Sequence, residues 1–231
     1  MFRHRSMNKE LLDRDDIPTA DLFQNLRELD FINHWLGGYD ISFNALKRVL
    51  QHGKRYALVD IGCGGGDTLK RISTWNRKAG FNLDLYGVDL KPDCIAYAGE
   101  NLGKTGVTLI CDDYRNTYRH LEKVDVIHAC LFCHHLTDTD LTELVRFALS
   151  NRAILVINDL ERNPLAYYSI KWLTRFFSKS YLVKNDAPLS VLRGFKKKEW
   201  LEILKQSGAT RFSVQNKWAF RHEVIVYGNA D

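Results

Sequence analysis

The chain has 231 residues, of which 45% are hydrophobic and 26% are charged. These are the values of a globular protein, and the length suits one α/β domain of ordinary size with a small additional segment. The net charge of +5 is mild, and the basic residues are scattered rather than gathered into a nucleic-acid-binding arm. No apolar stretch reaches transmembrane length, and we expect no signal peptide. Five cysteines in such a chain indicate reduced thiols and a cytoplasmic location.

The first part of the chain is predicted to precede the main fold. Residues 1–18 are polar and charged, and we expect them to form a mobile leader. An apolar stripe with helical spacing follows and ends at a pair of glycines, and residues 42–51 fit a second helix. We therefore expect N-terminal helices over residues 19–52, within a single domain over residues 19–231.

Strand and helix patterns alternate through the middle of the chain. The predicted strands are residues 56–61, 83–88, 107–111, 124–129 and 153–157, and the helices between them are 68–78, 92–102 and 137–150. Such alternation implies right-handed crossovers and parallel strands. A helix over 196–207 and a hairpin of two strands, 211–215 and 219–227, complete the chain. The pattern predicts an α/β fold: a Rossmann-like, doubly wound sheet of seven strands, mostly parallel, with an antiparallel C-terminal hairpin.

The alternation is interrupted between residues 160 and 195. A helix over 164–177 is rich in aromatic residues, and an irregular stretch is predicted to follow it as far as residue 194. We expect this insertion to be a cap over the substrate, with Tyr168, Trp172 and, from the N-terminal helices, Trp35 as substrate contacts. The aromatic side chains could equally pack the helix onto the sheet, and the sequence leaves both interpretations open.

The most informative motif follows the first strand. It has the spacing D-x-G-x-G-x-G, at Asp60, Gly62, Gly64 and Gly66. Glycine accepts positive φ and lets a ligand approach the backbone closely, and the N-terminus of the following helix attracts anionic groups. A dinucleotide fingerprint would need a third glycine at position 67, which is Asp67. The motif therefore predicts a nucleotide-like cofactor other than a dinucleotide.

Acidic residues follow the next two strands. Asp89, followed by Leu90, lies 23 residues beyond Gly66, where a carboxylate can accept hydrogen bonds from both ribose hydroxyls. The third strand is followed by Asp112, Asp113 and Tyr114. Ligands of open α/β sheets bind at the C-terminal ends of the strands, so these residues are expected to meet at one edge.

In this order and spacing, the motifs of residues 56–160 resemble those of class I S-adenosylmethionine (SAM) methyltransferases. The resemblance implies SAM as cofactor, Asp60 orienting the glycine turn or accepting from the methionine ammonium, and Asp112 accepting from the adenine amino group. The segment 129–136 is similar to that of the small-molecule branch, which includes quinone-biosynthesis enzymes. Residues 25–29, 35–38 and 189–193 look similar to methyltransferases that accompany bacterial type III polyketide synthases. The implied cofactor-binding residues are Asp60, Gly62, Cys63, Gly64, Gly66, Asp89, Leu90, Asp112, Asp113, Tyr114, Ala129 and Cys130.

Two adjacent histidines follow the fourth strand. Either His134 or His135 could act as a general base, or one of them could simply pack against the next helix. Together with Cys130 and Cys133 they match the haem-attachment pattern C-x-x-C-H and a partial zinc-ligand set. Haem attachment requires export, and adjacent histidines are expected to point in different directions. We therefore predict no metal.

The resulting expectation is a cytoplasmic enzyme of secondary metabolism that methylates O or C of a small aromatic or apolar acceptor, polyketide- or quinone-like. SAM carries its own leaving group, so alignment of the reactants is the main requirement. The alternatives are a nucleic-acid or protein methyltransferase and a non-catalytic SAM-binding protein. Nucleic acid is not expected as a partner, because the Asn/Asp-Pro-Pro-aromatic motif of exocyclic-amine enzymes is missing after the fourth strand. The acceptor, the methylated atom and the oligomeric state cannot be deduced from the sequence.

Overall fold

A mixed seven-stranded sheet forms the centre of the protein in the computed structural model, which describes residues 1–14 and 16–228. The strands are β1 Arg55–Ile61, β2 Asn82–Asp89, β3 Thr108–Cys111, β4 Val126–Cys130, β5 Ile154–Leu160, β6 Phe212–Lys217 and β7 Arg221–Val226. They lie in the order β3-β2-β1-β4-β5-β7-β6. Strands β1 to β5 are parallel, and β7 is antiparallel to β5 and β6. The predicted fold class is confirmed.

The helices cover both faces of this sheet. They are α1 Thr19–Trp35, α2 Gly38–Val49, α3 Asp67–Ala79, α4 Pro92–Leu102, α5 Asp138–Ser150, α6 Pro164–Phe177, α7 Tyr181–Arg193 and α8 Lys197–Gln206. Side chains of β1 alternate between two cores, with Leu58 packed among residues of α2, α3 and α4, and Val59 among residues of α5 and α8. This burial on both faces explains the continuous apolar runs of the parallel strands.

Helix α7 occupies the stretch that was predicted to be irregular. The Ser180 hydroxyl caps its first turn by accepting from the Val183 N–H at 3.3 Å. The inner side of the helix carries Asp186, Pro188 and Arg193 as well as apolar residues. These residues interrupt the apolar periodicity on which the prediction depended, and a proline within a helix removes one backbone hydrogen bond. The prediction was wrong because tertiary burial, rather than local pattern, stabilises this helix.

The N-terminal segment, defined here as residues 1–14, also differs from its prediction as part of a mobile leader. It lies against α7 and the loop after β4. The backbone N–H groups of Leu11 and Leu12 donate to the carboxylate of Asp186 at 2.8 and 2.9 Å. Its polar composition therefore reflects hydrogen bonds to the rest of the protein, which a composition-based prediction cannot distinguish from solvation.

Within residues 1–14 and 16–228, we find no helix with the length and apolar character needed to cross a bilayer.

Candidate active site

The glycine turn follows β1 at the C-terminal edge of the sheet. Gly62, Gly64 and Gly66 have φ angles of +63°, +52° and +73°, which strain any other residue. At Gly62 a Cβ atom would lie 2.1 Å from the ring of Phe132, so this ring can approach only a glycine. At Gly64 the nearest atom to a Cβ would be Leu26 Cδ2 at 3.8 Å. The turn thus presents open backbone next to the N-terminus of α3, where a ligand can be held.

Asp89 fastens this turn to the end of β2. Its Oδ2 accepts from the Gly64 N–H, and its Oδ1 accepts from the Lys91 N–H, both at 2.9 Å. Burial raises the pKa of the Asp89 carboxyl, and the two N–H groups oppose that shift. Each carboxylate oxygen has a further lone pair, so the group can still accept from ligand hydroxyls. Leu90, the next residue, is largely exposed on the same rim.

The two aspartates after β3 have different surroundings. Asp112 contacts Asn116 Nδ2 at 2.9 Å and His120 Nε2 at 2.7 Å, and these hydrogen bonds lower its pKa to about 2. Asp113 caps the following helical turn by accepting from the Arg115 N–H at 2.9 Å. Asn116 and His120 were not predicted from the sequence, because nothing in the pattern of a short turn indicates that it folds back onto Asp112.

Asp60 lies beneath the turn in a buried polar network. Its Oδ1 is 2.6 Å from His128 Nδ1, and His128 Nε2 is 2.9 Å from Ser42 Oγ. The Asn158 amide donates to the same hydroxyl at 3.2 Å and to the Gly38 carbonyl at 2.7 Å. The network joins β1, β4, β5 and α2, and it holds the Asp60 carboxylate in one orientation.

The remaining predicted cofactor residues lie around the same edge. Ala129 and the part-buried Cys130 end β4, and Cys63 is buried within the glycine turn. Burial raises the pKa of the Cys130 thiol to about 11. The ring of Tyr114 packs edge-on against Phe132, with 5.5 Å between the centroids. These residues therefore shape this edge of the sheet through packing as well as through polar groups.

His134 and His135 come together instead of pointing apart, so the expectation of divergent side chains was wrong. His134 Nδ1 is 2.8 Å from Asp159 Oδ1, and His135 Nδ1 is 3.1 Å from Asp13 Oδ1. Each ring is thereby held by a different carboxylate, and the ring centroids are 4.3 Å apart. Both Nε2 atoms face the carboxylate of Glu10, at 3.6 and 3.8 Å.

Glu10 and Asp13 are site residues that the sequence did not reveal. Both belong to the N-terminal segment, where a short helical turn positions them reciprocally. Glu10 is buried, and burial raises its pKa to about 6. Its Oε1 accepts from the Ser190 hydroxyl at 2.8 Å. A capping pair at these positions is a weak sequence signal, and it gives no indication of which distant groups the carboxylates will meet.

The predicted substrate residues Trp35, Tyr168 and Trp172 are all exposed. Trp172 stacks on Phe176 with 5.8 Å between the ring centroids. Tyr167, rather than Tyr168, is the tyrosine that packs inward from α6. The exposed apolar side chains of this helix form one stripe, which we call the aromatic face: Leu165, Tyr168, Trp172, Leu173, Phe176 and Phe177.

The aromatic face lies near the exposed end of α1. Glu28 of α1 accepts from the Lys179 N–H at 3.1 Å, directly after α6. Phe31 and Trp35 lie on the following turns of α1 and are themselves exposed. The structure thus favours an open apolar surface over packing of these aromatics onto the sheet.

Strand order, the antiparallel β7 and the glycine turn at the sheet edge together define the Rossmann-like fold of class I methyltransferases. Residues 58–150 match the family model described as a methyltransferase domain. This match and the fold agree with the predicted class I SAM-dependent methyltransferase, and solved SAM-dependent methyltransferases share the fold.

Three solved methyltransferase structures with the same fold illustrate the similarity. The plantazolicin methyltransferase BpumL in complex with S-adenosylhomocysteine shares 18% identity at a TM-score of 0.64, covering 94% of this chain and 91% of that one. A SAM-dependent methyltransferase from Aquifex aeolicus shares 19% identity at a TM-score of 0.59, covering 91% and 98%. The CMeT domain of the citrinin polyketide synthase shares 13% at 0.56, covering 82% and 51%. At these identities the likeness concerns the fold, and no curated protein matches the chain significantly.

Proposed function

We propose that the protein transfers the SAM methyl group to O or C of a small, largely apolar or aromatic acceptor, polyketide- or quinone-like. The exposed aromatic face of α6 is the observation that carries this proposal, because apolar acceptors are held mainly by such surfaces. Two of the similar structures are named for plantazolicin and for a polyketide synthase, which supports an acceptor from secondary metabolism.

The polar groups at this edge of the sheet fit SAM. We assign the methionine carboxylate to the glycine turn and the N-terminus of α3, the ribose hydroxyls to Asp89, and the adenine amino group to Asp112. Asn25 of α1 supports this fit. Its side chain is 1% exposed, and neither its amide nitrogen nor its oxygen has a partner among the described residues. A buried amide without partners is costly, and the ammonium and carboxylate of methionine would satisfy it.

In this proposal, SAM supplies the electrophilic methyl group and its leaving group. The protein aligns the acceptor and keeps water away from the sulfonium, and a base is needed only for an acceptor that must lose a proton. Of the two histidines, His135 is the better candidate for a base, since its side chain is 22% exposed and that of His134 only 4%.

Label transfer from SAM tests the proposal. Protein is incubated with SAM carrying a labelled methyl group and a cell metabolite extract, and the labelled product is identified by mass spectrometry. We expect label in a small apolar molecule. Label in protein or nucleic acid, or no transfer by protein that binds SAM, would contradict the proposal.

Trp172→Ala tests the aromatic face within the same assay. We expect a KM for the acceptor raised about tenfold, from the loss of roughly 1–2 kcal/mol of apolar contact, with unchanged SAM affinity. Lys171→Ala is the matched control, because Lys171 is the exposed preceding residue of α6 and carries no aromatic ring. An unchanged KM for Trp172→Ala would exclude this surface from acceptor binding.

A further inference from the structure

We propose that Glu10, His134 and His135 form a binding site for one divalent transition-metal ion of the Zn²⁺ class. Two imidazoles and a carboxylate are a ligand set that zinc enzymes use together with a water molecule. This inference does not depend on the identity of the acceptor or on the assignment of the SAM contacts. A bound ion would occupy Nε2 of His135, so the metal-loaded protein would not use His135 as a base.

The ligand atoms are already gathered. His134 Nε2 lies 3.6 Å from Glu10 Oε1, and His135 Nε2 lies 3.8 Å from Glu10 Oε2. One ligand atom from each of the three residues lies within 4.8 Å of the others. Tetrahedral ligands at zinc bond lengths are separated by about 3.4 Å. Small movements of the two rings and the carboxylate are therefore enough to close around an ion.

The outer hydrogen bonds of the two imidazoles are an independent observation. A histidine that binds a metal through Nε2 commonly donates its Nδ1–H to a carboxylate, which fixes the ring and its tautomer. Here both rings have such a partner, Asp159 for His134 and Asp13 for His135. Both Nε2 atoms are thus presented towards Glu10, as metal ligation requires.

The charge of the cluster also favours a divalent cation. Three carboxylates contact the imidazoles, namely Glu10, Asp13 and Asp159. The Arg193 guanidinium contacts two of them, at 3.8 and 3.4 Å, but donates at 3.0 Å to the carbonyl oxygens of both histidines. With neutral imidazoles, the three carboxylates and Arg193 sum to two formal negative charges. Arg5 donates to the His134 carbonyl at 3.4 Å, but its charge is paired with Asp138. Buried charges of one sign are costly unless a counter-charge is bound.

A bound ion would link distant parts of the chain. Glu10 comes from the N-terminal segment, whereas the histidines follow β4, so the metal would fasten that segment across the sheet edge. The prediction of no metal considered only cysteines and histidines near residue 134. The third ligand is supplied by residue 10, which no local spacing could associate with them.

Zinc binding tests the site directly. Untagged protein is stripped with a chelator and dialysed, and Zn²⁺ alone is titrated by calorimetry, with Co²⁺ absorption reporting the coordination. We expect one Zn²⁺ per chain, a tetrahedral Co²⁺ spectrum without thiolate bands, and a rise in Tm with added Zn²⁺. Glu10→Gln and His135→Ala should each weaken binding at least about tenfold, and Asp13→Asn about tenfold through the outer hydrogen bond.

Matched controls separate this site from other metal-binding groups. His120→Ala and Cys111→Ser remove an exposed imidazole and an exposed thiol outside the cluster, and both should bind Zn²⁺ like the wild type. Circular dichroism establishes that each variant is folded. Binding well below one equivalent, thiolate bands in the Co²⁺ spectrum, or undiminished affinity in folded Glu10→Gln and His135→Ala would overturn the proposal. SAM binding, measured in parallel, is expected to persist without Zn²⁺, so failure here would leave the proposed function standing.

Discussion

The carboxylate of Asp89 shows how one residue serves both structure and ligand. It accepts two backbone N–H groups, one of them from the glycine turn, while lying where we place the ribose. Loss of its charge should therefore loosen the turn and remove the ribose contact together. The side chain that orders the glycine turn is therefore also expected to contribute to the affinity for SAM.

Asp89→Asn should weaken SAM binding about ten- to hundredfold, because hydrogen bonds to charged groups contribute roughly 1.5–3 kcal/mol and the amide NH₂ would face donors. Isothermal titration calorimetry measures the change. Asp84→Asn is the control, since Asp84 lies on the same strand but pairs with Arg55 at the far end. Equal SAM affinity in Asp89→Asn and the wild type would refute the assignment.

Asp67, the first residue of α3, lowers the stability of the folded protein in a pH-dependent way. Burial, with the nearby Asp30 charge, raises its pKa to about 6. The unfolded chain loses this proton at a pH of about 4, so the folded state holds it more tightly. The free energy of unfolding should consequently fall as pH rises from about 4 through 6, by up to about 3 kcal/mol.

Asp67→Asn should remove this dependence while keeping an oxygen for the Asn101 amide, which donates to it at 2.7 Å. Urea unfolding at several pH values should show a gain of about 1–3 kcal/mol at pH 7.5 and little change at pH 4. Asp93→Asn, in the exposed first turn of α4, serves as the control. An effect of the same size at every pH would show that the carboxyl is not perturbed.

Among the elements, the glycine turn allows two effects of a substitution to be distinguished. One is the loss of stability from backbone strain, and the other is the loss of space for the ligand. Gly64 and Gly53 both have positive φ, of +52° and +81°. A Cβ at Gly53 meets nothing within 4 Å, and one at Gly64 meets only Leu26 at 3.8 Å. The two positions therefore share the cost of positive φ for alanine, but of the two only Gly64 lies at the sheet edge where we place the cofactor.

Gly64→Ala and Gly53→Ala should lose similar stability, about 1 kcal/mol each, as measured by thermal unfolding. Only Gly64→Ala should also lose SAM affinity, by tenfold or more, because its methyl group enters the space offered to the ligand. Retained SAM affinity in Gly64→Ala would mean that the cofactor does not approach this part of the turn.

Across the whole molecule, the N-terminal segment closes over the ends of β4 and β5. Its attachment depends on buried acceptors, above all Asp186, which receives the N–H groups of Leu11 and Leu12. Asp186→Ala should therefore release the segment without unfolding the sheet. Local opening of this kind is visible in amide hydrogen exchange.

We expect exchange of peptides from residues 1–14 to accelerate about tenfold or more in Asp186→Ala, with β1 and β4 unchanged. Asp16→Ala is the control, because Asp16 pairs only with the exposed Arg14 in the described structure. Complete exchange of the N-terminal peptide in wild-type protein at the earliest time would restore the interpretation of a mobile leader.

The sequence by itself determined the sheet, most of its helices and the edge at which the candidate cofactor residues lie. Alternating strand and helix periods and the spacing of Asp60, Gly64 and Asp89 are local properties, which survive without knowledge of distant contacts. The predicted class of enzyme and its predicted cofactor followed from them. Helix α7 was not predicted, because buried polar residues and Pro188 interrupt its apolar periodicity.

Only the tertiary structure decided what surrounds His134 and His135. Glu10 lies 124 residues before His134 in the chain, and Asp159 lies 25 residues after it. Which carboxylates meet these imidazoles depends on how the N-terminal segment packs on α7 and on where β5 ends. Such contacts arise from chain packing over long separations, so no local spacing records them.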